Sequence, residues 1–398
     1  MGKNIVLAGL QYDNNLGDQA IFLCAHKMLE NLLSENGISD LTIRGVDLSG
    51  RIGKNKNHLQ RPFRYLKKLY RSLGFEKGLA ELPRLEAKYI SGRLARKYID
   101  RNTAAVIFAG GGIVKYKYQQ FHIYIDEFTK RADELGVPVM LNAVGIEGYD
   151  ADDPECMLLK NALNRSCVKY ISTRDDIDLL DGKYCENGQV TARVADPACS
   201  LSVLKPAEKI PHDGKVIGLG VVRSGLFVDN DIDFTKEDML KFWSSLVAEI
   251  ESRGMQCRIF SNGTTDDTKF QDDLAEYMGL SVTEKKKLMY ARPTSVKKLV
   301  AYIRGFDAVI TGRLHASIIA YSYAVPSVGL VWNDKQRMFG RIIGYPERFI
   351  DRDDFTAEHV IDEVENAMAA GYNESTRKTY CETTAAFMNG FVREYLLG

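Results

Sequence analysis

The alternation of short apolar segments with helical segments is the feature that most constrains the fold of this chain. Apolar runs such as Ala104–Phe108 and Val216–Val222 are separated by stretches whose apolar residues recur at helical spacing. Strands that alternate with helices in this way indicate a mainly parallel, doubly wound sheet. Residues 201–214 contain two prolines, a glycine and several charges, which is typical of a linker. Because the pattern restarts after the linker, we predict two α/β domains.

The predicted domain bounds follow from this linker. We expect an N-terminal α/β domain over residues 1–205 with a basic helical insertion at 51–101, a C-terminal α/β domain over 206–355, and closing helices over 356–398. With 45% apolar and 27% charged residues in 398, the chain has the composition of a globular protein with sizeable cores.

Cysteine usage and hydropathy bear on location and on metal binding. The seven cysteines are scattered, none forms a Cys-x-x-Cys pair, and none has a histidine at metal-ligand spacing. We therefore expect reduced thiols, no metal site and no cofactor. The apolar start is too short for a secretory signal, and no apolar run reaches transmembrane length. The expected location is cytoplasmic, with peripheral contact to the inner membrane face as an open alternative.

Positive charge is concentrated in the insertion. Residues 51–101 contain 15 Lys/Arg and 4 Asp/Glu, a net charge of +11, and the rest of the chain carries −11. Within it, Arg61–Phe75 can form a helix with one apolar stripe. One interpretation is docking on an anionic membrane surface; the other is a solvated insertion that packs on the domain through the same stripe. Nucleic acid is not expected, because the remaining chain is acidic and no recognition motif is present.

Two glycine-containing loops follow predicted strands in the N-terminal half. The loop after the first strand contains Asn15, Gly17 and Asp18; we expect Gly17 to permit a tight turn and Asp18 to cap the helix that follows. The strand Ala104–Phe108 runs into Gly110, Gly111 and Gly112. Three glycines at this edge allow a ligand to approach the backbone, and a simple tight turn is the alternative.

The segment Thr311–Ser317 is the strongest candidate for a functional site. It follows an apolar strand and precedes a helical stretch that ends at Pro326. Arg313 and His315 would therefore lie at a helix N-terminus, where backbone N–H groups and the helix dipole favour an anion. A structural ion pair for Arg313 and a satisfied, partly buried His315 are the alternative.

Further polar residues follow neighbouring strands of the C-terminal domain, and all would lie at one sheet edge. Several cations at one edge repel each other unless an anionic ligand binds there. This convergence favours a functional role for a set comprising Arg223, Asn262, Arg313, His315 and Lys335.

Separated motifs along most of the chain resemble those of the polysaccharide pyruvyltransferase family. The motifs are Asn15-x-Gly-Asp18, Gly110-Gly-Gly112, Arg174-Asp175, Asp196-Pro-Ala198, Thr311-Gly-Arg-Leu-His-Ala316, Ala324-x-Pro326 and Asp334-Lys335. The resemblance implies a fold of the GT-B glycosyltransferase type, phosphoenolpyruvate as donor, and a sugar acceptor in a glycan or a polyprenyl-diphosphate-linked precursor. It also implies a pyruvate ketal across two hydroxyls as product, and donor-binding roles for Arg223, Arg313, Leu314 and His315.

The proposed chemistry suits these residues. Two arginines can clamp the phosphate and carboxylate of phosphoenolpyruvate, and Lys335 can neutralise the leaving phosphate. His315 is the expected general acid. Asp18 or Asp13, from the opposite domain, is the expected general base. The remaining expected substrate contacts are Asn15, Gly17, Asn262 and the glycines at 110–112.

Two other functions stay open. A nucleotide-sugar glycosyltransferase would use the same architecture, but such enzymes commonly carry an acidic residue where this chain has Ile319, and no acid lies between Arg313 and Asp334. A non-enzymatic glycan-binding or assembly scaffold, docked through the basic insertion, is the second alternative.

Overall fold

Two parallel β-sheets organise the chain, one in each of two units. The computed structural model describes residues 3–51, 59–209 and 211–397. The first unit comprises residues 1–13, 21–197 and 382–398, and the second comprises 14–20 and 198–381. The segment 14–20 therefore groups with the C-terminal unit, although it follows the first strand.

The first unit contains a seven-stranded sheet in which all pairings are parallel. Its order is β2-β1-β3-β5-β6-β7, with β4 paired to β5. The strands are β1 (Asn4–Gly9), β2 (Thr42–Asp47), β3 (Thr103–Phe108), β4 (Gly111–Val114), β5 (Val139–Ile146), β6 (Val168–Thr173) and β7 (Val190–Arg193). Every residue of β5 is buried, because a central parallel strand is covered by helices on both faces.

Helices cover this sheet and form the insertion. They are α1 (Leu16–Glu35), α2 (Arg61–Ser72), α3 (Glu76–Tyr98), α4 (Phe121–Glu134), α5 (Pro154–Leu163) and α6 (Ile177–Leu179). The basic insertion is helical, as predicted, in its described part. Its residues 52–58 lie outside the described residues. The sequence reasoning missed α4, whose buried face includes the aromatic residues Phe121, Tyr124 and Phe128.

The second unit contains a five-stranded parallel sheet in the order β12-β11-β10-β8-β9. Its strands are β8 (Val216–Gly220), β9 (Gln256–Phe260), β10 (Ala308–Thr311), β11 (Ser327–Leu330) and β12 (Phe349–Ile350). Its helices are α7 (Leu201–Leu204), α8 (Lys236–Ser252), α9 (Thr265–Tyr277), α10 (Val282–Leu288), α11 (Val296–Arg304), α12 (Leu314–Ser322), α13 (Asp334–Ile343), α14 (Ala357–Ala370) and the first part of α15 (Glu374–Tyr395).

Helix α8 illustrates how the sequence determines local structure in this unit. Thr235 caps the helix by accepting from the Asp238 backbone N–H at 3.2 Å, and the Asp238 carboxylate accepts from the Thr235 N–H at 3.0 Å. This reciprocal capping satisfies two backbone donors at the helix start. The apolar face, which includes Phe242 and Trp243, is buried in the core of the unit. The spacing of the apolar residues predicts a helix over Lys236–Ser252, which is the range that α8 occupies.

The strand orders identify the sheet edges where ligands are expected. In each sheet the chain first adds strands in one direction and then returns to the other side of the first strand. The reversal lies between β1 and β3 in the first unit and between β8 and β10 in the second. Ligands of open α/β sheets bind at such switch points, outside the carboxyl ends of the strands. The Thr311 hydroxyl joins β10 to β8 by donating to the Gly220 carbonyl at 3.0 Å.

The division of the chain differs from the predicted domain bounds at three places. The units divide between Pro197 and Ala198 rather than at 205/206, the segment 14–20 belongs to the second unit, and residues 382–398 belong to the first. Part of the predicted linker forms α7, and residue 210 of that linker lies outside the described residues.

Six of the seven cysteines are buried, and Cys185 is half-buried. Among the described residues, no helix is long and apolar enough to cross a membrane.

Candidate functional site

The turn between β10 and α12 carries the Arg-Leu-His segment. Arg313 precedes the first helical residue, Leu314, and its backbone N–H donates to the Thr311 hydroxyl at 3.0 Å. The Gly312 carbonyl accepts from Trp332 Nε1 at 2.6 Å and from the buried Gln336 at 3.2 Å. These contacts fix the turn between two strands. Arg313, Leu314 and His315 are half-buried, and the helix that follows is buried from residue 316 to residue 322.

Arg313 is held by Asp267, a fully buried residue in the first turn of α9. The Asp267 carboxylate accepts from Arg313 Nε at 3.0 Å and from Nη2 at 2.5 Å. The structural ion pair that the sequence left open is therefore present. It uses one side of the guanidinium, and Nη1 takes no part in it. The pair orients Arg313 and leaves further N–H donors for a ligand.

Asp267 also orders the loop that follows β8. Its Oδ1 accepts from the Arg223 backbone N–H at 2.8 Å. The Arg223 side chain pairs with Asp229 at 2.6 Å and is one-third exposed. One buried carboxylate thus connects the ends of three adjacent strands. The sequence reasoning missed Asp267, although Thr264 three residues earlier is a capping signal, and Thr264 does cap α9.

The start of α1 packs in the second unit against the loop after β9. Asn262 Nδ2 donates to Asn15 Oδ1 at 3.0 Å, and the Asn262 carbonyl accepts from the Leu16 N–H at 3.2 Å. Asn15 in turn accepts from the Gly17 N–H at 3.2 Å and donates to the Asp18 carboxylate at 2.8 Å. The loop after the first strand and the loop after β9 are therefore one hydrogen-bonded group.

Gly17 lies directly against the imidazole of His315. A Cβ added at Gly17 would lie 2.3 Å from His315 Cγ and 2.4 Å from Nδ1, closer than any real Cβ contact. Gly17 is inside the first turn of α1, and its φ is not in the left-handed region. The expectation that Gly17 permits a tight turn was wrong: it provides the space that His315 occupies. Asp18 also lies inside the helix rather than at its cap.

Gly17→Ala is expected to reduce turnover by at least about tenfold, because His315 is the predicted general acid and misplacing a reacting group by about 1 Å costs up to about 100-fold. The added methyl group must displace the His315 ring. Gly182→Ala is the matched control, since an added Cβ there meets nothing within 4 Å. Steady-state kinetics of the two variants make the comparison. Equal activity would show that the position of the His315 ring is unimportant.

The two candidate general bases, Asp13 and Asp18, lie in different units. Asp18 belongs to the same unit as His315, and Asp13 belongs to the first unit. The expectation that Asp18 comes from the opposite domain is corrected accordingly. The reason is that the chain crosses between units after Asp13, so that the first turn of α1 packs against Asn262 and His315.

Lys335 lies in the first turn of α13 and is half-buried. The sequence placed it in a loop after β11, and the loop is shorter, ending at Asn333. Helices α9, α12 and α13 begin directly after β9, β10 and β11. Because these strands are parallel, the three helix N-termini lie at one sheet edge, where backbone N–H groups favour an anion.

Arg292 is a further cation near this edge that the sequence reasoning missed. It follows α10, and its Nε donates to the Gly263 carbonyl at 2.7 Å. Gly263 lies against Leu16, so Arg292 belongs to the same group of loops. Within the described part of the chain, no acidic side chain pairs with Arg292. Arg292 precedes Pro293 and belongs to no motif, so sequence patterns do not single it out.

Three buried polar atoms near these residues lack a hydrogen-bond partner. They are Asn262 Oδ1, Ser317 Oγ and Asn333 Oδ1. A buried polar atom without a partner costs free energy, and such atoms are often satisfied by a ligand or water. Among the described residues, no group of three or more His, Cys, Asp or Glu side chains could hold a metal ion.

The glycines at 110–112 lie at the switch point of the first unit. Gly110 and Gly111 have φ values of 110° and 92°, and a Cβ at Gly110 would lie 2.8 Å from the Asn142 carbonyl. Gly112 packs against Gly145, beside the buried ion pair of Arg174 and Asp196. Asn142 is fully buried, and both its amide atoms lack partners. The left-handed backbone at Gly110 and Gly111 favours glycine, and contact of residues 110–112 with substrate stays a prediction.

Comparison with known proteins identifies the family. The sequence matches the family described as polysaccharide pyruvyl transferase over residues 15–334. The chain belongs to this family. The match begins at Asn15 and includes the whole Arg-Leu-His turn. Family membership makes the protein a transferase of polysaccharide biosynthesis, with a sugar acceptor. A comparison with curated proteins gave no match.

Solved structures support the fold of this pyruvyl transferase family member. UDP-GlcNAc 2-epimerase from Methanocaldococcus jannaschii has a TM-score of 0.57 at 12% identity, covering 100% of both chains. UDP-GlcNAc 2-epimerase from Neisseria meningitidis has a TM-score of 0.57 at 12% identity, covering 99% of each. α,α-Trehalose 6-phosphate synthase from Burkholderia multivorans has a TM-score of 0.52 at 12% identity, covering 100% of this chain and 96% of that one. The predicted GT-B-like fold with two Rossmann-like domains is confirmed.

Proposed function

We propose that the protein transfers the enolpyruvyl group of phosphoenolpyruvate onto two hydroxyls of a sugar in a glycan or lipid-linked precursor. The product is a pyruvate ketal, and inorganic phosphate is released. The observation that carries the proposal is the position of Arg313 and His315 at the start of α12, next to the packed segment Asn15–Asp18, in a chain of this family.

The donor is a small molecule with two anionic groups, and the site offers matching cations. Arg313 presents its remaining N–H groups while Asp267 holds the other side of the guanidinium. Arg292 supplies a second guanidinium. Arg223 supplies a third, which leaves its exposed ion pair with Asp229 and binds the donor instead. Bidentate arginine contacts suit carboxylate and phosphate oxygens. Lys335 and the helix N-termini stabilise the charge of the departing phosphate.

The chemical steps follow from the polarity of an enol phosphate. His315 donates a proton to the methylene carbon, which makes the adjacent carbon oxocarbenium-like. A sugar hydroxyl oxygen forms a bond to that carbon, and the carbon–oxygen bond to phosphate breaks. A second hydroxyl then closes the ketal. Of the two hydroxyl protons, one replaces the proton that His315 gave and the other leaves with phosphate. Asp18, held by Asn15, is the base for the attacking hydroxyl.

Phosphorus NMR tests this function directly. The protein is incubated with phosphoenolpyruvate and a panel of lipid-linked sugars. The expected result is loss of the donor signal and growth of inorganic phosphate only with the correct acceptor, together with a ketal methyl resonance in the proton spectrum. A saturation-transfer experiment with UDP-GlcNAc is the comparison arm. Binding of the nucleotide sugar with no response to phosphoenolpyruvate would replace the proposal with a glycosyltransferase. Binding of the sugars with no phosphate release under any donor would indicate a scaffold.

Arg292→Met is expected to weaken phosphoenolpyruvate binding by about tenfold or more, because a hydrogen bond to a charged group contributes about 1.5–3 kcal/mol. Arg341→Met is the control, since Arg341 is exposed on α13. Titration of the donor by isothermal calorimetry measures both dissociation constants. If both variants bind like the unmodified protein, Arg292 serves only to hold the loop at Gly263.

A further inference from the structure

Helix α2 separates its basic and apolar residues onto different sides. Between Arg61 and Ser72 it carries five basic residues and no acidic residue. At 100° per residue, its basic side chains occupy one arc, and Leu66, Leu69 and Leu73, the last at the C-cap, lie in the opposite arc. No residue of α2 is buried, so little of this apolar arc is covered by the rest of the unit.

One edge of the apolar arc packs on α3, and the rest is exposed. Phe63 and Tyr89 have ring centroids 5.5 Å apart. Tyr70 contacts Phe75, the residue before α3, in an edge-to-face arrangement with ring centroids 5.2 Å apart. In contrast, Leu69 is 49% exposed and Leu73 is 69% exposed. The solvated-insertion interpretation therefore accounts for Phe63 and Tyr70 only. The exposed leucines lack an intramolecular reason within the described residues.

The basic arc is equally unpaired. The five side chains Arg61, Arg64, Lys67, Lys68 and Arg71 form no salt bridge with the described residues. Glu86 on α3 interacts electrostatically with two of them: burial raises its pKa, and the charges of Lys67 and Arg64 oppose that rise. The surrounding segment 51–101 carries a net charge of +11 against −11 for the rest of the chain. This separation orients the insertion towards a negatively charged surface.

A bilayer surface matches both arcs at once. A helix with leucines on one side and lysine or arginine on the other lies in the headgroup region, with the apolar side chains reaching the acyl boundary. Anionic phospholipids attract the basic side chains. An acidic protein would satisfy the charges and leave the leucines exposed. A purely apolar partner would do the reverse.

We propose that α2 docks the protein on an anionic phospholipid surface, with Leu66, Leu69 and Leu73 inserted and the basic arc at the headgroups. This proposal is independent of the donor and of the reaction, since it rests on the insertion alone. It places the enzyme where a lipid-linked sugar would be presented.

Vesicle flotation tests the docking. The full-length protein is mixed with vesicles of phosphatidylcholine alone, or of phosphatidylcholine with phosphatidylglycerol, at low and high salt. We expect flotation with the anionic vesicles at low salt and a loss of at least about tenfold in affinity at high salt or without phosphatidylglycerol. Two variants are expected to weaken binding by about tenfold or more each. One is the double variant Leu69→Glu/Leu73→Glu, and the other is the triple variant Lys67→Gln/Lys68→Gln/Arg71→Gln.

The substituted side chains are exposed, so these changes are not expected to disturb the folded core. Val282→Glu is the matched control, because Val282 is 72% exposed on α10 in the second unit. Melting temperatures and far-UV circular dichroism verify that all variants fold. Three results overturn the proposal: absence of flotation with anionic vesicles, unchanged flotation of the Leu69→Glu/Leu73→Glu variant, or sedimentation velocity showing a dimer that this variant dissociates.

Discussion

Replacement of His315 by alanine is expected to reduce phosphate release from phosphoenolpyruvate by about 100-fold or more while donor binding is retained. A positioned general acid contributes about 10²–10⁴-fold to a proton transfer. The arginines that we propose as donor ligands are separate side chains, and Asp267 holds Arg313. The measurements are turnover by phosphate assay and donor affinity by thermal shift.

A matched histidine separates this effect from a general loss of stability. His359 is exposed on α14, and His359→Ala is expected to retain full turnover. His315→Gln adds a second comparison, since glutamine is polar but cannot titrate. Turnover near normal in both His315 variants would remove His315 from the proton transfer. Loss of donor binding together with turnover would instead assign His315 to binding.

The fold was predictable because strand and helix periodicities differ. The apolar run Val216–Val222 predicts β8, which spans Val216–Gly220, and the apolar spacing of residues 236–252 predicts α8 at its observed bounds. Parallel strands place their carboxyl ends at one edge, so the grouping of Arg223, Asn262 and Arg313 followed from topology. The helix α4 was missed because its aromatic residues follow a polar loop that lacks a strong start signal.

Long-range contacts were not predictable, because they depend on where the chain crosses between units. The spacing of Asn15 and Gly17 suggests a turn, and only the structure shows that His315 occupies the space beside Gly17. Arg292 lies in a loop without a recognisable motif, and the hydrogen bond from its Nε to the Gly263 carbonyl holds it near the site. Asp267 could be identified as a helix-start residue, but its partners are 44 and 46 residues away. Periodicity carries no information about such pairs.

Asp267→Ala is expected to destabilise the protein by about 3–5 kcal/mol, the cost of breaking a buried ion pair by removing one partner. Asp267 is fully buried, and the Arg313 side chain is only 19% exposed. Its removal leaves a guanidinium with little solvent and the Arg223 backbone N–H without its acceptor. Donor binding should fall as well, because Arg313 loses the contact that orients it. Urea unfolding measures the change in the free energy of unfolding.

The neighbouring Asp266 provides a control in the same helix turn. Asp266 is exposed, and Asp266→Ala removes a similar interaction with the α9 dipole, which contributes about 0.3–1 kcal/mol. The difference between the two variants therefore reports the buried contacts of Asp267 alone. Arg313→Met in the Asp267→Ala background should restore part of the stability, because the unpaired charge is removed, and should not restore donor binding. If Asp267→Ala were no less stable than Asp266→Ala, Asp267 would not hold Arg313, and the orientation of the arginine towards the donor would need another cause.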